Sequence, residues 1–422
     1  MTPLPEPSEV LVIGAGAAGL MAAIACRHQG MKTTLLDGRE TFGAKILMSG
    51  GTRCNVTNQK VTERNFSGED LHAVRNVLAA FPAPRAADFF RSIGVALLVE
   101  EGGKYFPETH SARTVLEALI REAERLGVEI RTGCKVTSLA ADGNVWKASG
   151  DGFSLTALTV ILCTGGLSYP TTGSDGTGYH LAAALGHGMV ETSPALTPLL
   201  TDDGDWKKLS GVALPCRLRL SSEGRTEAEY EGAMLFTHFG FSGPVVLNMS
   251  RHWIRCSDPH RELAVNFLPS TNQEHFRQQC LHEGAKNPTL LLRNFLSRFL
   301  PERLADTLLH KARLSRELIL NQWSREAREH FLRGLYHQPL RVTGGYGYTK
   351  AEVTAGGVSW KDVDTRTLES RKCPGLFFAG EIMDVDGRIG GYNFQWAWSS
   401  GVAAADGAAR RLGRKPVRFP AS

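Results

Sequence analysis

Short β-branched runs that open onto glycines alternate, along the first part of this chain, with stretches of helical spacing. "EVLVIGAG" is an apolar strand entering a glycine turn. "AAGLMAAIACRHQG" then has the helical period and stops at Gly30, and "KTTLLD" is a second strand. This strand–turn–helix–strand run has the length and order of a βαβ dinucleotide unit. Two helical patterns follow, "DLHAVRNVLAAF" and "RAADFFRSIG", then a strand pair around "ALLVEEGGKYFPE". A longer helix, "SARTVLEALIREAERLG", opens at a Ser N-cap and closes at Gly127. "VEIRTGCKVTSLA", "NVWKASG" and "FSLTA" alternate as strands joined by Asp-Gly turns. "LTVILCTGG" is a buried strand that ends on Gly165 and Gly166.

From about position 190 the pattern changes. Short strands ("CRLRLSS", "AEYEGAMLF") lead to "THFGFSGP", and a charged, helix-rich stretch runs from about 270 to 338, including "SRELILNQWSREAREHFLRGL". The last segment returns to α/β character, with "GLFFAGE" as a strand ending in glycine and "GYNFQWAWSSGVAAADGAARRL" as a closing helix. Nucleotide-binding pieces at both ends of a different middle predict one domain interrupted by an insertion.

Composition narrows the function class. The 422 residues suffice for two or three domains with a full core, and the apolar and charged fractions, 42% and 22%, are those of an ordinary globular protein. A net charge of +5 permits an anionic ligand and gives no sign of a nucleic-acid partner. The eight cysteines show neither C-x-x-C nor a Cys/His metal spacing, so no metal is expected and most read as buried thiols in a reducing compartment. The opening "MTPLPEPSEV" lacks a basic leader, and the Gly-rich run after it is too short to span a bilayer. The expectation is a cytoplasmic protein with no membrane partner. Asn55-Val56-Thr57 and Asn65-Phe66-Ser67 fit the glycosylation sequon and read as chance matches in that setting.

Gly14, Gly16 and Gly19 form G-x-G-x-x-G between strand and helix. The first allows a tight turn, the second lets the backbone approach a pyrophosphate, and the third lets helix and strand pack. The helix N-terminus adds free N–H groups and partial positive charge. Asp37, at the end of the second strand, stands where an acid holds ribose hydroxyls. One fingerprint fits either NAD or FAD; Gly380 and Glu381, ending a late strand, suit the glycine–acid pair of an FAD fold.

These pieces, with "GAKILMSGGTRCNVTN", "LCTGGLSYPTTGSDGTGY", "LFTHFGFSGP", "TAGGV" and "FAGEIMDVDGRIGGYNFQWAWSSG", make the chain resemble the BaiN/YhiN-like bacterial flavoproteins. These are NAD(P)/FAD-dependent oxidoreductases, a group that includes an aminoacetone oxidase. The resemblance implies an α/β fold in which a Rossmann-like FAD-binding domain of the glutathione-reductase type is interrupted by a β-rich domain carrying a helical subdomain. The implied bounds are 1–190 and 345–422 for the FAD-binding domain, 191–268 and 336–344 for the β-rich part, and 269–335 for the helical part. Two positions depart from the common family pattern: Thr52 stands in place of a third glycine, and Asp37 where many members have Glu.

By the same resemblance Lys45, Ser49, Gly50, Arg53, Cys54 and Asn55 form a cofactor layer whose glycines let the backbone wrap the dinucleotide. Ala17, Ala18, Gly38, Val136, Thr164, Gly165 and Gly166 join it, as do Gly391, Tyr392 and Asn393 at the start of the closing helix. That helix terminus is expected to face the flavin pyrimidine and favour its reduced anion. Cys54 reads as a packed residue, because a redox thiol needs a resolving cysteine and none is near in sequence. No catalytic residue is fixed; His238, Tyr392 and Arg388 are the candidates. Trp396 and Trp398 read as packing residues, and "SREAREHFLRGL" as a solvated face.

The activity expected is hydride transfer from NAD(P)H through FAD to a small organic acceptor, with NAD(P)H bound transiently. Two alternatives stand beside it: an FAD oxidase of a small amine using O₂, and a tRNA-associated flavoprotein. A flavin carrier without turnover is a third.

Overall fold

β1 (Ser8–Ile13) lies between β2 (Thr33–Leu36) and the strand Phe153–Leu162, all three parallel. In the computed structural model, which describes residues 8–417, the sheet continues through Glu129–Arg131 beside β2 and through Leu376–Phe378 beside the C-terminal half of Phe153–Leu162. The N-terminal half of that ten-residue strand turns antiparallel to Val145–Gly150, which pairs in turn with Ser138–Asp142. One long strand therefore joins a parallel dinucleotide sheet to an antiparallel meander. Val10–Ile13 and Val160–Leu162 are buried throughout, as strands covered on both faces are.

α1 (Ala17–His28) packs on β1 and against the closing helix Tyr392–Arg411. Small residues set their approach: a Cβ added at Gly401 would lie 2.7 Å from the Ala18 carbonyl oxygen. The two tryptophans of that helix are buried, and Trp398 also ties the chain's ends together. Trp396 Nε1 donates to the Gly380 carbonyl at 3.0 Å and Trp398 Nε1 to that of Val56 at 2.8 Å. Gln395 accepts from Thr57 Oγ1 at 2.6 Å and donates to the Phe81 carbonyl at 2.7 Å.

All of these elements belong to one compact unit, residues up to Ser193 and from Glu352 onward; Pro194–Ala351 form a second. The expected bounds differ from these by three residues at the first crossing and seven at the second. In the second unit the hairpin Ala213–Ser222 and Arg225–Phe236 is the centre of an antiparallel sheet. Cys216, Leu218 and Leu220 point inward, while Arg217 and Arg219 alternate outward and pair across the strands with Glu231 and Glu229 at 2.8 and 2.7 Å. Helices Gln273–Lys286, Leu292–Leu296, Glu302–Lys311 and Arg325–Tyr336 bury Phe276, Phe295, Leu304 and Leu332 in the same core as the sheet.

Three local readings need correction. Ser111 does sit at the N-cap of Ala112–Arg125, but its hydroxyl makes no cap bond. The stretch 315–324 is turns instead of helix, because Arg313 in the left-handed region (φ +58) follows the end of Glu302–Lys311. Helices Ala44–Thr52, Thr177–Ala184 and Pro244–Arg255 went unmarked by the periodicity.

Candidate functional site: a cofactor cavity in the first unit

The glycine fingerprint shows three different surroundings. Gly14 has φ +102, and a Cβ there would stand 2.5 Å from the Cys163 carbonyl oxygen. A Cβ at Gly19 would fall 1.8 Å from the Gly14 oxygen, inside the helix–strand contact. At Gly16 a Cβ would meet nothing within 4 Å. Turn, packing and open approach are thus separated residue by residue. Asp37 fastens the loop, accepting from Ala15 N at 2.8 Å and Arg39 N at 2.9 Å.

The open side of Gly16 belongs to a cavity of about 870 Å³, near the upper end of the ~300–1,000 Å³ usual for ligand sites. Its walls come from both ends of the chain. At one side stand Asp37, Gly38, Val136 and the Lys135–Asp175 ion pair at 2.6 Å. Burial alone would raise the Asp175 carboxyl, but hydrogen bonds from Lys135 and Thr177 carry it down to about 2. Further along come Ala17, Ala18, Thr164, Gly165 and Gly380, and then Ser49, Gly50, Arg53, Asn55, Arg388, Gly391 and Asn393. The Thr164 hydroxyl has no partner among the described residues.

A charged network crosses the middle of this wall. Lys45 Nζ donates to Glu381 Oε2 at 2.6 Å and to Ser168 Oγ at 2.8 Å, while Ser168 Oγ and Thr354 N donate to Glu381 Oε1 at 2.6 and 2.9 Å. The carboxylate thus accepts three hydrogen bonds, one on Oε2 and two on Oε1.

α2 (Ala44–Thr52) explains the "SGGTRCN" stretch. It breaks at Ser49, and Gly50, Gly51 and Thr52 follow in the left-handed region (φ +55, +67 and +69). Thr52 therefore holds a conformation that a third glycine would take freely. A β-branched residue there costs ~1–2 kcal/mol, partly offset by the smaller unfolded-state entropy of Thr. T52G is expected to stabilise the apoprotein by about 0.5–1 kcal/mol, read as a higher midpoint in urea. Arg53 is committed to Glu100 at 2.7 Å and stacks over Phe106 at 4.1 Å. Cys54 is fully buried and off the cavity wall; burial pushes its thiol up to about 12, against a hydrogen bond with Ser49.

The closing helix begins at the cavity, with Gly391 as its N-cap. Asn393 exchanges hydrogen bonds with the Gly387 backbone at 2.8 and 2.9 Å, which fixes the loop ahead of the terminus. Not every expected site residue reaches the wall. Gly19 and Gly166 sit behind it, Gly166 against Thr354. Tyr392 turns its ring edge-on to Phe66 at 6.2 Å and does not line the cavity. Arg388 does line it, with its side chain exposed. His238 lies in the second unit, exposed in the turn after Arg225–Phe236 and packed on Phe239 at 4.9 Å. Glu352 and Tyr169 are wall residues that the sequence reading left out.

The family model described as "HI0933-like protein Rossmann domain" matches residues 8–407. The ribosomal RNA dihydrouridine synthase of Escherichia coli (strain K12) is 34% identical over 95% of this chain and 98% of its own length. The 3-dehydro-bile acid delta(4,6)-reductase of Clostridium scindens is 34% identical over 95% and 98%, and the ribosomal RNA dihydrouridine synthase of Haemophilus influenzae 32% identical over 94% and 98%. The chain belongs to the HI0933-like family and is an FAD-dependent oxidoreductase with a Rossmann-like fold. Two relatives named for ribosomal RNA overturn the expectation of no nucleic-acid partner. That expectation rested on a net charge averaged over both units, and the charge is not evenly spread. Pro194–Ala351 carries 21 Lys and Arg against 16 Asp and Glu, which is the whole of the chain's excess. Among the described residues no helix is long and apolar enough to cross a membrane.

Proposed function

We propose that this HI0933-like flavoprotein saturates a carbon–carbon double bond conjugated to a carbonyl group, and that its substrate is uridine in RNA. The names of its relatives, one a dihydrouridine synthase and one a delta(4,6)-reductase of a 3-dehydro bile acid, share one chemical act. In each, the carbon that accepts hydride is made electron-poor by a conjugated carbonyl. The positive excess of the second unit favours the polyanionic substrate over the steroid.

The observation that carries the cofactor assignment is the open face of Gly16 in a cavity walled by the first and last segments of the chain. Gly14, Gly16 and the N-terminus of α1 would hold the pyrophosphate, and Asp37 the adenosine ribose. Lys45, Asn55, Gly391 and Asn393 would hold the flavin end. FAD supplies hydride there, and NAD(P)H is its transient reductant. Arg53 and Phe106, already locked together, give that end a rigid, flat wall.

Anaerobic spectroscopy of the yellow holoprotein tests the reading. NADPH or NADH is expected to bleach the flavin band, and uridine-containing ribosomal RNA to restore it with formation of dihydrouridine. Bleaching by small amines alone, without any by NAD(P)H, would overturn the reductase direction. Recovery by a conjugated steroid ketone and not by RNA would assign the smaller substrate. RNA retention on a filter should fall steeply with salt.

A further inference from the structure

Four carboxylic acids line the cavity among the described residues: Asp37, Asp175, Glu352 and Glu381. Three have partners. Asp37 accepts two backbone N–H groups, Asp175 is paired with Lys135, and Glu381 accepts from Lys45, Ser168 and Thr354. Among the described residues Glu352 has neither a hydrogen-bond nor an ion-pair partner. It enters the wall two residues before Thr354, whose backbone N–H donates to Glu381. The carboxyl is set deep in the unit and keeps access only in part.

We propose that Glu352 is the proton donor of the reduction, giving its proton to the carbon next to the carbonyl while the far end of the double bond takes up hydride. The proposal rests on the conjugated-bond reading above. The balance closes: two electrons and one proton arrive as hydride from the reduced cofactor, the second proton comes from the Glu352 carboxyl, and solvent reprotonates the carboxylate. In uridine the acceptors are C6 for hydride and C5 for the proton.

Two features support the assignment. With no donor to hold its anion, burial pushes the Glu352 carboxyl up to about 7, so the acid form is present at neutral pH. Tyr169, also on the wall, is close enough to feel the Glu352 charge and has its hydroxyl pKa raised by burial and by that charge. Its backbone is held in the left-handed region (φ +49), with its carbonyl accepting from Thr172 N and Oγ1 at 2.8 Å each. Strain of this kind is kept where the surroundings fix a side chain in place.

The test uses E352Q, which keeps the shape and removes the proton. Holoprotein reduced with dithionite is mixed anaerobically with RNA or with a conjugated ketone, and flavin recovery is followed against pH. Wild-type recovery should fall as pH rises through about 7, and E352Q should recover at least about 100-fold more slowly below that pH, with the gap closing as the wild-type carboxyl loses its proton. FAD affinity, read by fluorescence quenching, should be the same in both. Independently, infrared difference spectra of the apoprotein should show a carboxylic-acid carbonyl band that titrates near neutrality and is missing in E352Q. Equal recovery rates in the two proteins, or no such band, overturn the role of Glu352 alone. A wild type that no conjugated substrate reoxidises overturns the underlying reading and the role with it.

Discussion

Replacing Gly16 by alanine should leave the apoprotein as stable as the wild type and lower its affinity for FAD by at least about 100-fold, ~2.7 kcal/mol or more. The backbone at Gly16 (φ −78, ψ −167) is one that alanine adopts without strain. Apart from its chain neighbours, no described residue lies within 4 Å of the added methyl, so folding has nothing to push against. The methyl instead occupies the space beside the α1 terminus that a pyrophosphate needs. G19A is the control and should behave oppositely. Its methyl collides with the Gly14 oxygen in the absence of any ligand, so the apoprotein itself is expected to lose several kcal/mol. Urea denaturation of both apoproteins and equilibrium titration with FAD separate the two cases. If G16A binds FAD as tightly as wild type, the pyrophosphate does not lie on this glycine, and the cofactor pose falls.

How much of this was legible beforehand follows from which forces act locally. The fingerprint, the strands on either side and Asp37 are specified within a few dozen residues, and the structure places them as read. The meeting of the two chain ends was also legible, because "LFFAGE" and the closing helix have no partner in sequence and must borrow one. What escaped was tertiary. Glu352 looks like any other acid in "KAEVTAGGV"; only packing strips it of donors and opens it to the cavity. Tyr392, beside the helix N-cap, was expected to face the cofactor, but its ring goes to Phe66. The left-handed run through Thr52 is legible only as a glycine cluster with one residue out of place. The misjudged partner has a different origin, since a single net charge hides how charge divides between two units.

The closing helix carries its own liability, and removing it should stabilise the protein in a pH-dependent way. Asp406 sits one turn from the C-terminal end of Tyr392–Arg411, where the helix dipole disfavours an anion. It is half-buried and accepts from Gln29 Nε2 at 2.8 Å across the contact with the first helical segment. Burial raises its carboxyl to about 6, against the lowering influence of Arg410, Arg85 and the Gln29 hydrogen bond, and the buried thiol of Cys26 faces the same charge. The folded form thus holds a proton that the unfolded chain, with a carboxyl near ~4, releases. Such a group contributes fully below pH ~4, and its contribution is lost as pH rises through about 6. Asn at this position keeps the acceptor for Gln29 and carries no charge. D406N should therefore match wild type near pH 4 and exceed it by ~1–2 kcal/mol at pH 8, after allowance for the partial solvent access of the site. Denaturant midpoints measured across that range check it. A constant difference at all pH values would mean that the gain comes from packing and that Asp406 does not titrate as its surroundings require.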